Sequence, residues 1–274
     1  MPAKRALSAA LALLLAVGFV TPSGARALST DGFEYFDNGS GATVTGCTST
    51  CPVNLVIPAT LGGFAVTSIK DSAFTTNLLT AVTIPDSVTT ISDYAFETNL
   101  LTAVTIPDSV TTIGVYAFAS NLLTAVTIPD SVTTIGDAAF AYNLLTAVTI
   151  PNSVTTIGSS VFYSNLLTAV TIPDSVTSIG DYAFETNLLT SVTFLGNAPT
   201  EGDEVFKNNG GLAAVTRLYA ATGWGSTWSG KLVVIADLPL TNREGSVWTV
   251  TLVILAGLTA AASIGLRVRG AKRA

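Results

Sequence analysis

The chain has 274 residues, 49% of them hydrophobic and only 11% charged, enough for one sizeable domain or two small ones. It contains no histidine, which excludes a histidine general base, an imidazole relay and any His-ligated metal. From Leu28 to Asn242 there are 17 acidic side chains and four basic ones (Lys70, Lys207, Arg217 and Lys231), a net charge of 4 − 17 = −13, so phosphate backbones and anionic lipid are repelled and no nucleic acid is expected as a partner.

In chain order, residues 1–27 read as a signal peptide. Lys4 and Arg5 precede an apolar run from Ala6 to Val20, and Ala25-Arg26-Ala27 is a small-residue cleavage site. The run is shorter than the roughly 20 residues that cross a bilayer. Residues 28–56 read as an N-terminal cap carrying Cys47 and Cys51, the chain's two cysteines. In an exported segment these are expected to form a local disulfide, of modest stabilising effect because the loop is short. Two cysteines without further ligands make no metal site, and no cofactor is expected.

Residues 57–209 are periodic. Phenylalanine recurs at 74, 96, 118, 140, 162, 184 and 206, and asparagine at 77, 99, 121, 143, 165, 187 and 209, always 22 residues apart. A fixed period of this size signals stacked supersecondary units. Within one unit, Leu79, Val82 and Ile84 alternate with Ala81 and Thr83, which predicts a short strand with one face inward. Pro85 has no N–H for a ladder and ends it. Pro85-Asp86-Ser87 is a turn, its polar side chains able to bond local backbone. Val88 and Ile91 point inward from a second extended piece. Asp93 to Phe96 are expected to form one tight helical turn that drops Ala95 and Phe96 into the core. Stacking places Phe74 on Phe96 and Val82 on Val104, with a rise of about 4.8 Å per coil and parallel strands joined into a long continuous sheet. The asparagines Asn77, Asn99, Asn121, Asn143, Asn165 and Asn187 are expected as a structural ladder, each amide bonding backbone of the adjacent coil.

The pattern L-x-x-V-x-I-P-x-x-V-x-x-I-x-x-x-A-F-x-x-N, as it stands from Leu79 to Asn99, resembles the BspA-like branch of leucine-rich repeats. The resemblance covers roughly residues 57–209. It implies a mainly β fold, a right-handed parallel β-solenoid of 22-residue leucine-rich repeats closed by N- and C-terminal caps. It also implies a surface protein of the adhesion or cell-surface-binding class. Ser87 departs from the general leucine-rich signature, which has Asn or Cys there, so a flatter solenoid is as much in view as a deep horseshoe. The first coil is irregular, because residues 57–69 are five longer than residues 84–91. Residues 210–237 read as the C-terminal cap, with Trp224 and Trp228 packing over the last coil.

Residues 238–246 form a linker. Leu238, Pro239, Leu240, Thr241 and Asn242, followed by an uncharged stretch at 247–266 and a basic tail at 267–274 with Arg267, Arg269, Lys272 and Arg273, resemble a sorting signal of the L-P-x-T-G kind. The resemblance implies cutting after Thr241 and attachment to the cell wall by a sortase; Asn242 stands where that motif has glycine. The apolar stretch is long enough for one C-terminal transmembrane helix, and the basic tail places the C-terminus in the cytoplasm before any processing. Wall and membrane anchoring both remain open, and both leave the repeats at the cell surface.

Chemistry-bearing groups occur as copies. Asp86, Asp108, Asp130 and Asp174 form a column interrupted by Asn152; each opens a turn, and calcium binding is a weaker reading. Thr83, Thr105, Thr127, Thr149 and Thr171 form an exposed row of ordinary strand-surface threonines, for which ice binding is a weaker reading. Tyr94, Tyr116 and Tyr182 decorate the turn side, either as half-buried packing residues or, with the threonines, as a candidate binding surface. An active site needs several unlike groups converging on one place, so no catalysis is expected. The expectation is a surface-anchored acidic solenoid that binds an unknown protein or cell-surface ligand, with a passive envelope module as the alternative.

Overall fold

The computed structural model describes residues 28–218 and 220–235 in full, with the backbone of 240–241 and 247–248. The segment read as a signal peptide, the basic tail, the apolar segment beyond residue 248, and Leu238, Pro239 and Asn242 of the sorting-like motif lie outside the described residues. Leu240–Thr241 pairs antiparallel with Val247–Trp248, so the first two residues assigned to the membrane span are extended, as suits a β-branched and an aromatic residue. Among the described residues no helix is long and apolar enough to cross a membrane; all regular elements there are strands.

The chain opens with three antiparallel strands, Leu28–Thr30, Phe33–Asp37 and Ala42–Cys47. Asp31 and Gly32, both at positive φ (52° and 82°), make the two-residue hairpin turn whose twist suits the strands. Ala42–Cys47 then pairs in parallel with Phe64–Ile69, which converts an antiparallel cap into the first rung of a parallel stack. The five extra residues of the first coil form a hairpin: Thr60–Leu61 pairs antiparallel with the start of Phe64–Ile69 across Gly62 and Gly63. The disulfide joins Cys47 to Cys51 with their Cα atoms 5.5 Å apart.

From there the described residues wind through about nine turns of a β-solenoid. Most coils contribute two short strands, and the coil at Thr105 has a single-residue bridge in place of one. On one face Ala125–Thr127 pairs in parallel with Ala147–Thr149, and Ala169–Ile172 with Ser191–Phe194. On the other, Thr90–Ile91 pairs with Thr112–Ile113 and that with Thr134–Ile135. Partners are 22 residues apart, Val126 on Val148 and Ile91 on Ile113, as the period requires. The sheets are not continuous, however. The first ladder is interrupted between Ala81–Thr83 and Thr105 and again between Ala147–Thr149 and Ala169–Ile172, the second between Thr134–Ile135 and Thr156–Ile157. Strands of two to four residues supply few ladder bonds, so coil spacing is governed by the buried columns between them.

Those columns are regular. Phe74, Phe96, Phe118, Phe140, Phe162, Phe184 and Phe206 are fully buried, and neighbouring rings stack with centroids 5.3–5.9 Å apart. Each buried phenylalanine contributes about 1.5–3 kcal/mol. Beside them Asn99 accepts from the Leu79 amide (3.0 Å) and donates Nδ2 to the carbonyls of Phe74 (2.8 Å) and Phe96 (3.0 Å). The same amide thus joins its own coil to the preceding one, and Asn121, Asn143, Asn165, Asn187 and Asn209 repeat the pattern. Asn77, at the start, is half-buried and its Nδ2 bonds only Thr75 O.

Two local expectations change. Asp93 to Phe96 do not form a helical turn. Ala95 N donates to Ser92 O and Glu97 N to Tyr94 O, two linked β-turns, with Tyr94 and Thr98 at φ 58° and 55°. The amides of Tyr94, Phe96 and Thr98 instead donate to Val115, Ala117 and Ala119 of the next coil at 2.8–3.0 Å. A helical turn would send every N–H along the chain and leave those carbonyls without partners. The left-handed residues cost about 1–2 kcal/mol each, which the inter-coil bonds offset. The turn serines also reach across coils. Ser87 Oγ donates to Val66 O (2.7 Å) and Ser109 Oγ to Val88 O (2.6 Å), where bonds local to the turn were expected.

The stack closes at its C-terminal end with Ala214–Arg217 and Lys231–Ile235 in parallel and Thr227–Trp228 folded back antiparallel. Trp228, 5% exposed, lies against Phe194 and Phe206 and donates Nε1 to Pro199 O (3.2 Å). Trp224 meets Phe194 edge-on. The last rung is thus covered by aromatic rings, as a solenoid end requires.

Candidate functional site

What the solenoid offers to solvent is set by which residues its coils turn outward. Thr83, Thr105, Thr127, Thr149 and Thr171 are all exposed. Thr105 bridges Thr127, and Thr127 pairs with Thr149, so these three lie side by side, but the ladder break separates Thr149 from Thr171. A shallow groove of about 400 Å³, lined by residues including Thr149, Asn152 and Thr171, opens at that break. The threonines of the second face are less free, since Thr89 and Thr111 donate their hydroxyls to carbonyls of the preceding coil.

The aspartates Asp86, Asp108, Asp130 and Asp174 are exposed at the turns. Among the described residues no three carboxylate or thiol side chains gather as a metal site would need. Other acids work inside the stack: Asp93 Oδ1 accepts from Val115 N (2.7 Å), and Asp137 and Asp181 repeat the contact at 2.8 Å.

The tyrosines are the most differentiated feature. Tyr94 and Tyr116 stack with centroids 5.4 Å apart and planes 6° from parallel. The next two coils carry Ala138 and Ser160 at the equivalent position, and Tyr182 resumes the column. Into the gap lean Tyr142 and Tyr163, which come from two other columns and meet edge to face at 5.2 Å. Tyr116, Tyr142, Tyr163, Tyr182 and Glu185 line a notch of about 250 Å³ there. Partial burial, then repulsion from Tyr163 and Tyr116, raises the Tyr142 hydroxyl above its ordinary value of 10.0. Glu185 is only 8% exposed, and among the described residues its carboxylate accepts one hydrogen bond, from Asn208 Nδ2 (3.1 Å). Reading the sequence picked out Tyr94, Tyr116 and Tyr182 but not this convergence. The signal was present as two departures from the repeat, tyrosine at 142 and small residues at 138 and 160.

The model of the BspA type leucine-rich repeat region matches six copies, over residues 54–165 and 112–218, together more than half of the 274 residues. The chain belongs to the BspA-type leucine-rich repeat family. No curated protein matches it. Among solved structures, the pneumococcal vaccine antigen PcpA is 19% identical with a TM-score of 0.55, the match covering 70% of this chain and 64% of that one, a likeness of fold. A leucine-rich cell surface protein from Faecalibacterium prausnitzii A2-165 is 24% identical (TM-score 0.49, 71% and 77% covered). A leucine-rich repeat protein from Bacteroides ovatus ATCC 8483 is 20% identical (TM-score 0.41, 77% and 76% covered). In this BspA-type chain the Asn and Phe columns are internal. What can differ functionally between members is therefore what the outward columns carry.

Proposed function

We propose that this chain is an exported, cell-surface-anchored repeat protein whose acidic solenoid binds protein or cell-surface ligands, an adhesion-like role without catalysis. The carrying observation is the tyrosine face, where the repeat is broken to bring four phenol side chains and a carboxylate together on an otherwise uniform stack. Aromatic side chains concentrate at binding surfaces because they offer large area at low entropic cost. The surface location rests on the signal-peptide-like segment and the sorting-like C-terminus in the sequence, and family membership supports it. The absence of catalysis is inferred from the columns, each of which repeats one group where an active site needs several unlike ones.

Two measurements test this. The purified chain, labelled and titrated onto intact cells and surface-protein fractions, is expected to bind saturably. Non-saturable binding across such a panel would return the reading to a passive envelope module. Cell fractionation with mass spectrometry of the C-terminus separates the anchors. A chain ending at Thr241 and linked to wall material indicates sortase attachment, and an intact tail in the membrane fraction indicates a single-pass anchor.

A further inference from the structure

We propose that the notch between Tyr116 and Tyr182 is a binding site for an organic ammonium group. The inference deepens the binding role above by naming the chemistry that one part of the face recognises, and it stands on geometry that does not depend on where the chain resides.

The notch exists because the tyrosine column lacks two members. Tyr94 covers one face of Tyr116, and the neighbour that would cover the other is Ala138. Ser160 likewise leaves Tyr182 without a ring partner on that side. Aromatic rings that line a cavity attract a cation through the negative side of their quadrupole. Tyr142 and Tyr163 wall the same space. The Tyr142 phenol, whose pKa burial raises above 10.0, stays neutral at physiological pH.

Glu185 supplies the charge. It lines the notch and is more than nine-tenths buried, and among the described residues the one hydrogen-bond partner of its carboxylate is the neutral amide of Asn208. Carboxylates are almost never buried to this degree without a cationic partner. The nearest base in sequence, Lys207, adds some positive potential at Glu185 and Tyr182, but its ammonium is engaged by Glu204 at 2.7 Å. No other basic residue lies between Lys70 and Lys207, so the surrounding field is negative and draws cations in. A divalent metal would need six or more oxygen ligands in the case of calcium. Among the described residues no set of three carboxylates exists to begin one. Ring faces with a single carboxylate suit an alkylammonium, either a lysine side chain on a protein partner or a quaternary ammonium on a surface polymer.

The test titrates choline, Nα-acetyl-lysine methylamide and methyl glucoside separately into the full-length chain in a non-ionic detergent, read by calorimetry and by tyrosine ring NMR shifts. Saturable binding of choline or of the lysine derivative with half-saturation near ~1 mM is expected, and the tighter of the two identifies the source of the ammonium. Glu185→Gln should weaken it about tenfold. Ser160→Tyr should abolish it by filling the notch, with an unchanged circular dichroism spectrum. That position is half-buried and already has the left-handed backbone that tyrosine adopts at 94, 116 and 182. Binding of the glucoside alone, no saturable binding of either ammonium, or ammonium binding that survives the filled notch each overturns the proposal. None of these outcomes bears on whether the chain sits at a cell surface.

Discussion

Replacing Asn143 by alanine isolates what the asparagine column does. The Asn143 side chain is 4% exposed. Its Oδ1 accepts from Leu123 N (3.1 Å), and its Nδ2 donates to the carbonyls of Phe118 (3.0 Å), Phe140 (3.2 Å) and Ala141 (3.2 Å). Removing it does not strand every partner. Phe118 O also accepts from Asn121, and Phe140 O from Asn165. The Leu123 amide has no such second partner and is left as a buried orphan, which costs about 1–3 kcal/mol. The Nδ2 group has two hydrogens for its three carbonyl contacts, so two lost amide–carbonyl bonds add about 1 kcal/mol each. The sum is about 3–5 kcal/mol. Asn77→Ala is the internal control, because that half-buried side chain donates only to Thr75 O and its loss should cost below about 1 kcal/mol. Urea unfolding of both full-length variants, followed by far-UV circular dichroism, measures the two. Because each coil touches only its neighbours, Asn143→Ala should also broaden or split the transition as the halves of the stack uncouple. Equal destabilisation by the two variants, to within about 1 kcal/mol, would show that the ladder is not what couples the coils.

Three further outcomes are expected. Phe140→Ala, which removes a fully buried ring stacked between Phe118 and Phe162, should cost about 3–5 kcal/mol in the same urea assay. Gly136→Ala should cost about 1–3 kcal/mol, because the added Cβ would meet the Val115 nitrogen and lie 2.6 Å from the Gly114 carbonyl carbon, both backbone of the preceding coil; thermal unfolding with an unchanged midpoint would contradict this. For Tyr142 the folded chain holds the phenol proton more tightly than the unfolded one. Its contribution to stability is therefore intact below pH 10.0 and lost as pH rises through the higher folded value. Tyrosinate absorbance of the wild type minus that of Tyr142→Phe should show its transition at the alkaline end of the titration.

The 22-residue period was enough to establish stacked coils, the inward columns of Phe, Asn, Val and Ile, and the acidic exterior. One coil cannot bury its own apolar residues, so repetition itself dictates stacking, and stacking dictates that equivalent residues meet. Turn geometry was not legible in the same way. Asp93-Tyr94-Ala95-Phe96 has nothing against a helical turn locally, and only the carbonyls of the next coil, waiting for alternate amides, select two β-turns with Tyr94 left-handed. The role of Ser87 was hidden for the same reason, since its acceptor lies 21 residues earlier in the chain. The glycines that recur at 114, 136, 158, 180 and 202 look like ordinary turn residues until the neighbouring backbone is seen to occupy the space of a side chain.

By itself, then, the sequence determined the architecture and the family resemblance, because both follow from periodicity, which is a property of spacing along one dimension. Tertiary structure alone decided where the repeat's exceptions come together. Tyr116, Tyr142, Tyr163, and Tyr182 with Glu185, come from three columns and four coils, and residues of separate coils become neighbours only once each coil has been laid on the last.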